Sequence, residues 1–371
     1  MSNKPRVAVY GASGYTGKLA AWKLAELGIP FIAAGRSQSR LEEQMKLVPE
    51  LEGATYECRA VEHNVADLIA LFEDVDIVYN FAGPFMQLGH EVVEASLNAG
   101  CHYLDSTGEQ DWMFVLKRKW GQKFEDAGLL LCPACSFMWT AGLLAAEIAL
   151  ETPGVDTLDI IYLADSATSV ASTKSFVRMC TKPQYFLEHN ELVMWPYATS
   201  YDIAIPGMSR IMKSLPWGGG GETVWFDTDD RVRNVTTLTA FKNIEMFGAV
   251  LNVLKEFEEK YRHLPSEEQE EITNQIGGTI VSEEPAREEL DKNRCVIVCH
   301  GRGNMTSCSI VLRGTSPYIQ TGRLAATAVQ RIQCGKLKKT GFASAAEAFG
   351  ARVLLASLAE EGLYTWEATS V

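Results

Sequence analysis

The feature that most constrains this chain is the alternation of short apolar runs with helical stretches over its first 132 residues, punctuated by glycine. Val7-Ala8-Val9-Tyr10, with Arg6 before it, is a β-rich run, and a glycine turn follows. Lys18 to Leu27 carries a helical pattern that stops at Gly28, just before Pro30. Phe31-Ile32-Ala33-Ala34 is a second strand, and Ser39 to Leu47 a helix. Residues 56–61 form a third strand, 65–72 a helix, and 75–81 a fourth strand that is nearly all apolar, as a strand buried on both faces must be. A helix over 89–97 stops at Gly100. Cys101 to Leu104 is a fifth strand, Asp111 to Ala127 a long helix, and Leu129 to Cys132 a sixth strand. Connections this short predict an α/β fold, a doubly wound parallel sheet with helices on both faces. Ligands of such sheets lie beyond the carboxyl ends of the strands. Those ends fall at 11–17, 35–40, 80–85, 105–109 and 133–136.

Length and charge bound the remaining possibilities. A chain of 371 residues is long enough for two domains, and 47% hydrophobic residues exclude a largely disordered chain. A formal net charge of −13 opposes nucleic acid as a partner. The densest basic run, Lys336-Leu337-Lys338-Lys339, reads as a solvated loop. Nine scattered cysteines suggest buried thiols in a reducing compartment. No apolar leader precedes the first strand, so the expected location is the cytoplasm. Residues 128–146 carry no charge and approach the length of a membrane span. Pro133 interrupts that run, which favours a short strand and then a buried helix from Thr140. Contact with a membrane surface is the lesser reading.

Gly11-Ala12-Ser13-Gly14-Tyr15-Thr16-Gly17 stands at the first strand-to-helix crossing. Its spacing is G-x-x-G-x-x-G. Glycine permits the tight turn and a close approach of backbone to a pyrophosphate, and the helix start supplies N–H groups and a positive dipole end. Ser13 and Thr16 add hydroxyl donors. The bland reading is a structural turn. An NAD site carries an acid at the end of the second strand, about 20 residues on. Here that loop reads Arg36-Ser37-Gln38-Ser39-Arg40, with no acid. Arg36, Ser37 and Arg40 suit a 2′-phosphate, so NADP(H) is the expected cofactor.

Other strand ends supply further candidates. Asn80, Ala82, Gly83 and Pro84 lie where a nicotinamide ribose would rest, or simply turn a loop. Asp105 and Glu109 either hold ribose or substrate, or cap the next helix. Cys132-Pro133-Ala134-Cys135 has thiol–disulfide spacing, but its place on a sixth strand and the lack of a second ligand pair argue against redox or metal chemistry. No metal site is expected. From about Val155 the pattern changes. Leu158 to Leu163 has no parallel partner in view, 195–241 is rich in aromatics and glycine, and 256–289 is an acidic helical insertion. Arg294–His300 and Ser307–Arg313 form a hairpin joined through 301–304. This predicts a second, antiparallel α+β domain. Its aromatics, among them Phe176, Tyr185, Trp195, Trp217 and Trp225, line an apolar pocket, or form core or a homodimer interface. The tail is helical again, over 322–332 and from Ser344, where Glu347 completes a capping box, to about Gly362.

Together these residues resemble the saccharopine dehydrogenase-like oxidoreductases, including the trans-acting enoyl reductase branch. The matching stretches are 9–17, 80–85 with Gly89, 100–109, and the run from Gly341 to Leu358. The resemblance implies a Rossmann-type domain, NADP(H), and a substrate domain inserted before returning C-terminal helices. On that basis residues 1–135 and 315–371 form the dinucleotide-binding domain and 136–314 the substrate domain. The expected function is an NADPH-dependent reductase delivering hydride to a C=C, C=N or C=O bond of a mostly apolar small molecule. Tyr103, His102, Lys174 and Tyr185 are the candidate proton donors. The alternative is a non-catalytic NADP(H)-binding sensor or scaffold.

Overall fold

The computed structural model describes residues 7–370; Arg6, expected to open the first strand, lies outside them. The first stretch runs β1 (Val7–Tyr10), α1 (Tyr15–Glu26), β2 (Phe31–Gly35), α2 (Gln38–Lys46), β3 (Tyr56–Ala60), α3 (Val65–Phe72), β4 (Ile77–Asn80) and α4 (Phe85–Asn98). It continues with β5 (His102–Asp105), α5 (Gln110–Val115), α6 (Gly121–Asp126), β6 (Leu130–Cys132) and α7 (Phe137–Ala149). Then come β7 (Val155–Asp165), α8 (Val170–Thr181), β8 (Tyr185–Glu188), β9 (Glu191–Met194), β10 (Tyr201–Ile203), β11 (Met212–Leu215), α9 (Glu222–Phe226) and β12 (Asn234–Phe241). The last stretch is α10 (Ile244–Lys260), α11 (Ser266–Ile280), β13 (Arg294–Gly303), β14 (Ser307–Thr315), α12 (Pro317–Gln333), β15 (Gly341–Phe342), α13 (Ala345–Phe349), α14 (Ala351–Glu360) and β16 (Tyr364–Ser370).

Two compact units result. The first holds the described residues up to Thr107, with Trp112–Thr140 and Tyr318–Glu360. Its seven-stranded sheet has the order β15-β6-β5-β4-β1-β2-β3, and every pairing is parallel. Strand order reverses at β1, which lies between β2 and β4 with Ala8 opposite both Ile32 and Val78. Both faces are buried. Ala8, Tyr10, Ile32, Val78 and Tyr103 pack in one cluster with residues of α3 and α4, such as Leu68, Phe72 and Val92. Val9, Phe31, Ala33 and Tyr79 are buried on the alternate positions. This accounts for the continuous apolar runs of these strands. Gly89 and Gly322 are required by close packing: a Cβ on Gly89 would press into the Trp112 ring, and one on Gly322 would lie 2.8 Å from the Leu19 carbonyl oxygen.

The second unit holds Gly108–Asp111, Ala141–Pro317 and the chain from Glu361 onward. Its sheet has the order β10-β11-β12-β7-β13-β14-β16, with β8 pairing β12 and β9. The expected antiparallel strands are present, and the sheet that holds them is mixed. β7 runs parallel to β12 and antiparallel to β13. A parallel pair needs a long crossover, and the 68 residues between these strands (165 to 234) hide it from a local reading.

Other expectations are corrected by the structure. The single helix over 111–127 is α5 and α6, joined by a π-helical turn at Leu116–Trp120. The uncharged run 128–146 does divide as expected, into the strand β6 and the start of the helix α7, and no helix of the described residues is long and apolar enough to cross a membrane. The hairpin strands extend through Gly301 and Gly303 before turning at 304–306. A seventh parallel strand, β15, was not expected. The tail does not end as helix: β16 joins the second sheet beside β14. The chain from Glu361 therefore belongs to the second unit, not to the dinucleotide-binding domain as expected for 315–371.

Candidate functional site

The glycine turn follows β1. Gly11 has φ +83°, a conformation that favours glycine, and a Cβ there would lie 2.9 Å from the Ala82 amide nitrogen. A Cβ on Gly17 would lie 2.7 Å from Ala12 Cα, so Gly17 lets α1 pack directly on the turn. Gly14 is the N-cap of α1, and no side chain caps that helix. The positive end of its dipole thus points at the turn. Ser13, Gly14 and Thr16 are half-exposed. Tyr15 differs: its ring is buried edge-on against Tyr318, 4.9 Å between centroids, so it packs α1 against α12.

The loop after β2 is exposed from Arg36 to Arg40. Among the described residues neither Arg36 nor Arg40 has an ion pair through its guanidinium. Ser37 is the N-cap of α2, accepts the Arg40 amide at 3.3 Å and lies 3.2 Å from the Ser39 hydroxyl. Two arginines and a helix start thus face solvent together, with no acid on the loop. This arrangement fits a phosphate on the adenosine ribose.

At the ends of β4 and β5 the expected contact residues are buried and tied to one another. Asn80 Nδ2 donates to the Tyr103 hydroxyl at 3.1 Å, and its Oδ1 accepts the Ala82 amide at 2.9 Å. Asp105 accepts from Tyr103 Oη at 3.0 Å, Trp112 Nε1 at 3.1 Å, and the amides of Thr107 and Ala134 at 3.0 and 2.9 Å. Burial pushes the Asp105 carboxyl up to about 6, against the pull of these four bonds. Burial raises the Tyr103 phenol well above its ordinary value. Asn80 and Asp105 therefore shape the loops at 81–84 and 133–135. Ala82 and Gly83 are half-exposed there, with Pro84 buried as the N-cap of α4, which no side chain caps.

The remaining candidates lie apart. His102 opens β5 at its amino end, opposite the ligand edge, and its Nδ1 accepts the Leu130 amide at 2.9 Å. Burial lowers its pKa. This candidate proton donor thus lies at the strand end opposite Asp105. In the second unit, Lys174 packs against α11, where a Cβ on Gly277 would lie 2.7 Å from Lys174 Cα. Tyr185 lies on β8, its backbone bonded both ways to the Gln110 amide. Glu109 is wholly buried and pairs with Arg178 at 3.0 Å, while Ser175 donates to it. Its carboxylate serves the second unit's interior rather than a ribose.

That interior contains two polar groups the sequence reading missed. Arg178, 2% exposed, meets Glu109, Asp111 and Glu270. Glu222 is buried, accepts from Tyr162 Oη at 2.7 Å and Thr237 Oγ1 at 3.3 Å, and is pushed by burial up to about 7. Neither has a local signal: each is one charge on an otherwise ordinary helix. Of the aromatics read as pocket, core or interface, Phe176 and Trp217 stack at 3.7 Å in a core cluster with Phe241 and Phe247. Cys132 and Cys135 are buried free thiols.

Comparison with known families now places this geometry. Residues 140–368 match the model described as Family of unknown function (DUF5938). The chain belongs to that family. Residues 7–128 match the model described as Saccharopine dehydrogenase NADP binding domain. The expected resemblance and the expected cofactor, NADP(H), are thus borne out at the N-terminal domain. A Caenorhabditis elegans lipid droplet localized protein is 30% identical over 187 residues, covering 48% of this chain and 40% of that protein. A human saccharopine dehydrogenase-like oxidoreductase is 24% identical over 145 residues, covering 35% and 34%. The chain thus spans two fifths or less of these relatives. The solved structure of saccharopine dehydrogenase (L-Glu forming) from Saccharomyces cerevisiae shares the fold, with TM-score 0.61 at 12% identity, covering 99% of this chain and 100% of that one.

Proposed function

We propose that this protein is an NADPH-dependent reductase acting on a mostly apolar small molecule. The observation that carries the reading is the pairing of an uncapped glycine turn with the exposed, unpaired Arg36 at the end of β2. Gly11, Ser13, Gly14, Thr16 and Gly17 would hold the pyrophosphate, and Arg36, Ser37 and Arg40 the 2′-phosphate. The loop 82–84, held by Asn80 and Asp105, would bear the nicotinamide half. When bound, NADPH supplies hydride for a polarised C=C, C=N or C=O bond, and the protein supplies orientation. The name of the lipid droplet relative supports an apolar substrate. Titration with NADPH and NADH, followed by nicotinamide fluorescence, tests the cofactor. Arg36→Ala is expected to weaken NADPH by about tenfold or more and leave NADH unchanged, the loss of one charge-assisted phosphate contact. Equal loss for both nucleotides would count against the 2′-phosphate site.

A second reading is a non-catalytic NADP(H) sensor. One observation favours it: of the four candidate proton donors, Tyr103 is fully buried and bonded to Asp105, and His102 lies at the opposite strand end. Substrate-dependent NADPH oxidation in a screen of enones, imines and ketones would decide for the reductase.

A further inference from the structure

Charge is unevenly spread along this chain. The formal net charge is −13, yet residues 112–124 carry Lys117, Arg118, Lys119 and Lys123 with no acid, and residues 317–346 carry five cations with no acid. The first unit brings parts of both segments to the β15 edge of its sheet. A Cβ on Gly121 would lie 3.1 Å from Phe342 Cβ, and the Lys117 ammonium lies 5.8 Å from the centre of the Phe342 ring. Lys336, Lys338 and Lys339 stand just before β15 on the chain. The first group sits on and beside the π-helical turn at Leu116–Trp120, a distortion frequent at functional sites. Its cations rest on aromatic rings. Arg118 lies 4.9 Å from the centre of the Phe114 ring, and Lys119 and Lys123 lie 5.0 and 4.7 Å from that of Trp120. Among the described residues these three have no carboxylate partner, nor have Lys336 and Lys338, and all five are exposed. The acids beside them are Glu125, Asp126 and Glu347, and Glu347 is held by Lys339 and by its capping box.

We propose that this edge docks on an anionic phospholipid surface. A small anion needs donors that converge, and these cations stand on two segments over separate rings. Trp120, 4% exposed beneath its two lysines, offers no face on which a base could stack, which disfavours single-stranded nucleic acid. A negative headgroup layer needs neither convergence nor stacking. Each Lys or Arg close to it contributes about fivefold in affinity. Cations already held on rings lose less freedom on docking. At physiological salt, charges beyond about 8 Å are screened, so the contacting cations outweigh the distant net charge.

Docking of this kind does not require bound NADPH. The full chain is sedimented with vesicles of phosphatidylcholine alone and of phosphatidylcholine with phosphatidylserine, at low and at physiological salt. Wild type is expected to pellet only with the phosphatidylserine vesicles, and less as salt rises. Arg118→Gln, Lys119→Gln and Lys123→Gln together are expected to lower that affinity by about a hundredfold, and Lys336→Gln with Lys338→Gln by about twentyfold. Lys260→Gln with Lys292→Gln, exposed lysines of the second unit, should leave it unchanged. All these changes are at the surface, and circular dichroism confirms that each variant is folded. Failure of wild type to pellet with phosphatidylserine at low salt, equal pelleting with phosphatidylcholine alone, or undiminished pelleting of either edge variant overturns the proposal. An equal loss in the Lys260 and Lys292 variant overturns it too, because net charge alone would then be responsible. Binding of a single-stranded oligonucleotide that both edge variants lose, with no pelleting on vesicles, would make the edge a nucleic-acid surface instead.

Discussion

Glu222 has no contact with solvent, and its titration is expected to shape stability. Its carboxyl is raised from 4.5 to about 7 by burial. The folded chain therefore holds this proton where the unfolded chain has released it. Stability from this group is complete below about pH 4.5 and is lost as pH rises through 7, by about 3 kcal/mol in full. Glu222→Gln keeps the shape and still accepts from Tyr162. The variant should lose less stability than wild type between pH 5 and pH 8 in urea unfolding. A parallel decline in both proteins would place the group's titration elsewhere. Burial likewise raises Asp105, from 3.8 to about 6, against the pull of the four donors that converge on it. The residue type was legible in the sequence in both cases. Its surroundings were not, because the partners come from distant strands and helices.

Among the elements, the turn between β1 and α1 shows the closest match of sequence to geometry. Gly17 has no room for a Cβ against Ala12 and the Gly11 carbonyl. Gly17→Ala must push α1 away from the turn, and NADPH affinity should fall by more than about tenfold, since the amides at the helix start no longer converge on one anion. A fall in thermal stability accompanied by unchanged NADPH affinity would remove the turn from the binding site. The capping box at Ser344 and Glu347 was equally legible, and both of its bonds form. Its signal is local, as capping is. By contrast, β15 is two residues long and β16 is an edge strand exposed from Thr365 to Thr369. Such strands have no pattern of their own; the sheet edge that receives them defines them.

At the scale of the molecule, charge and connectivity interact. The chain carries a net charge of −13, yet Arg36 and Arg40 and the start of α1 would present positive potential where the phosphates would lie. Within the second unit, Arg178 joins the segment at 109–111 to α8 and α11, segments 67 to 92 residues apart in sequence. Arg178→Met should destabilise the protein by about 3–5 kcal/mol, because Glu109 is left buried and uncompensated. Adding Glu109→Gln should recover part of that loss, measured as a double-mutant cycle in urea. Strict additivity of the two changes would mean that the pair contributes no coupling.

Strand and helix alternation, the glycine turn, the missing acid after β2 and the capping box are short-range patterns. They depend on backbone freedom and periodicity within a few residues, and the sequence alone determined the doubly wound sheet and NADP(H) as cofactor from them. Tertiary structure decided which charges lie at the carboxyl ends of the strands. It moved Glu109 to Arg178, turned Asn80 and Asp105 inward, and set His102 at the far end of its strand. Burial and partner choice depend on residues far apart in the chain, so they are settled only when the sheets and helices have packed.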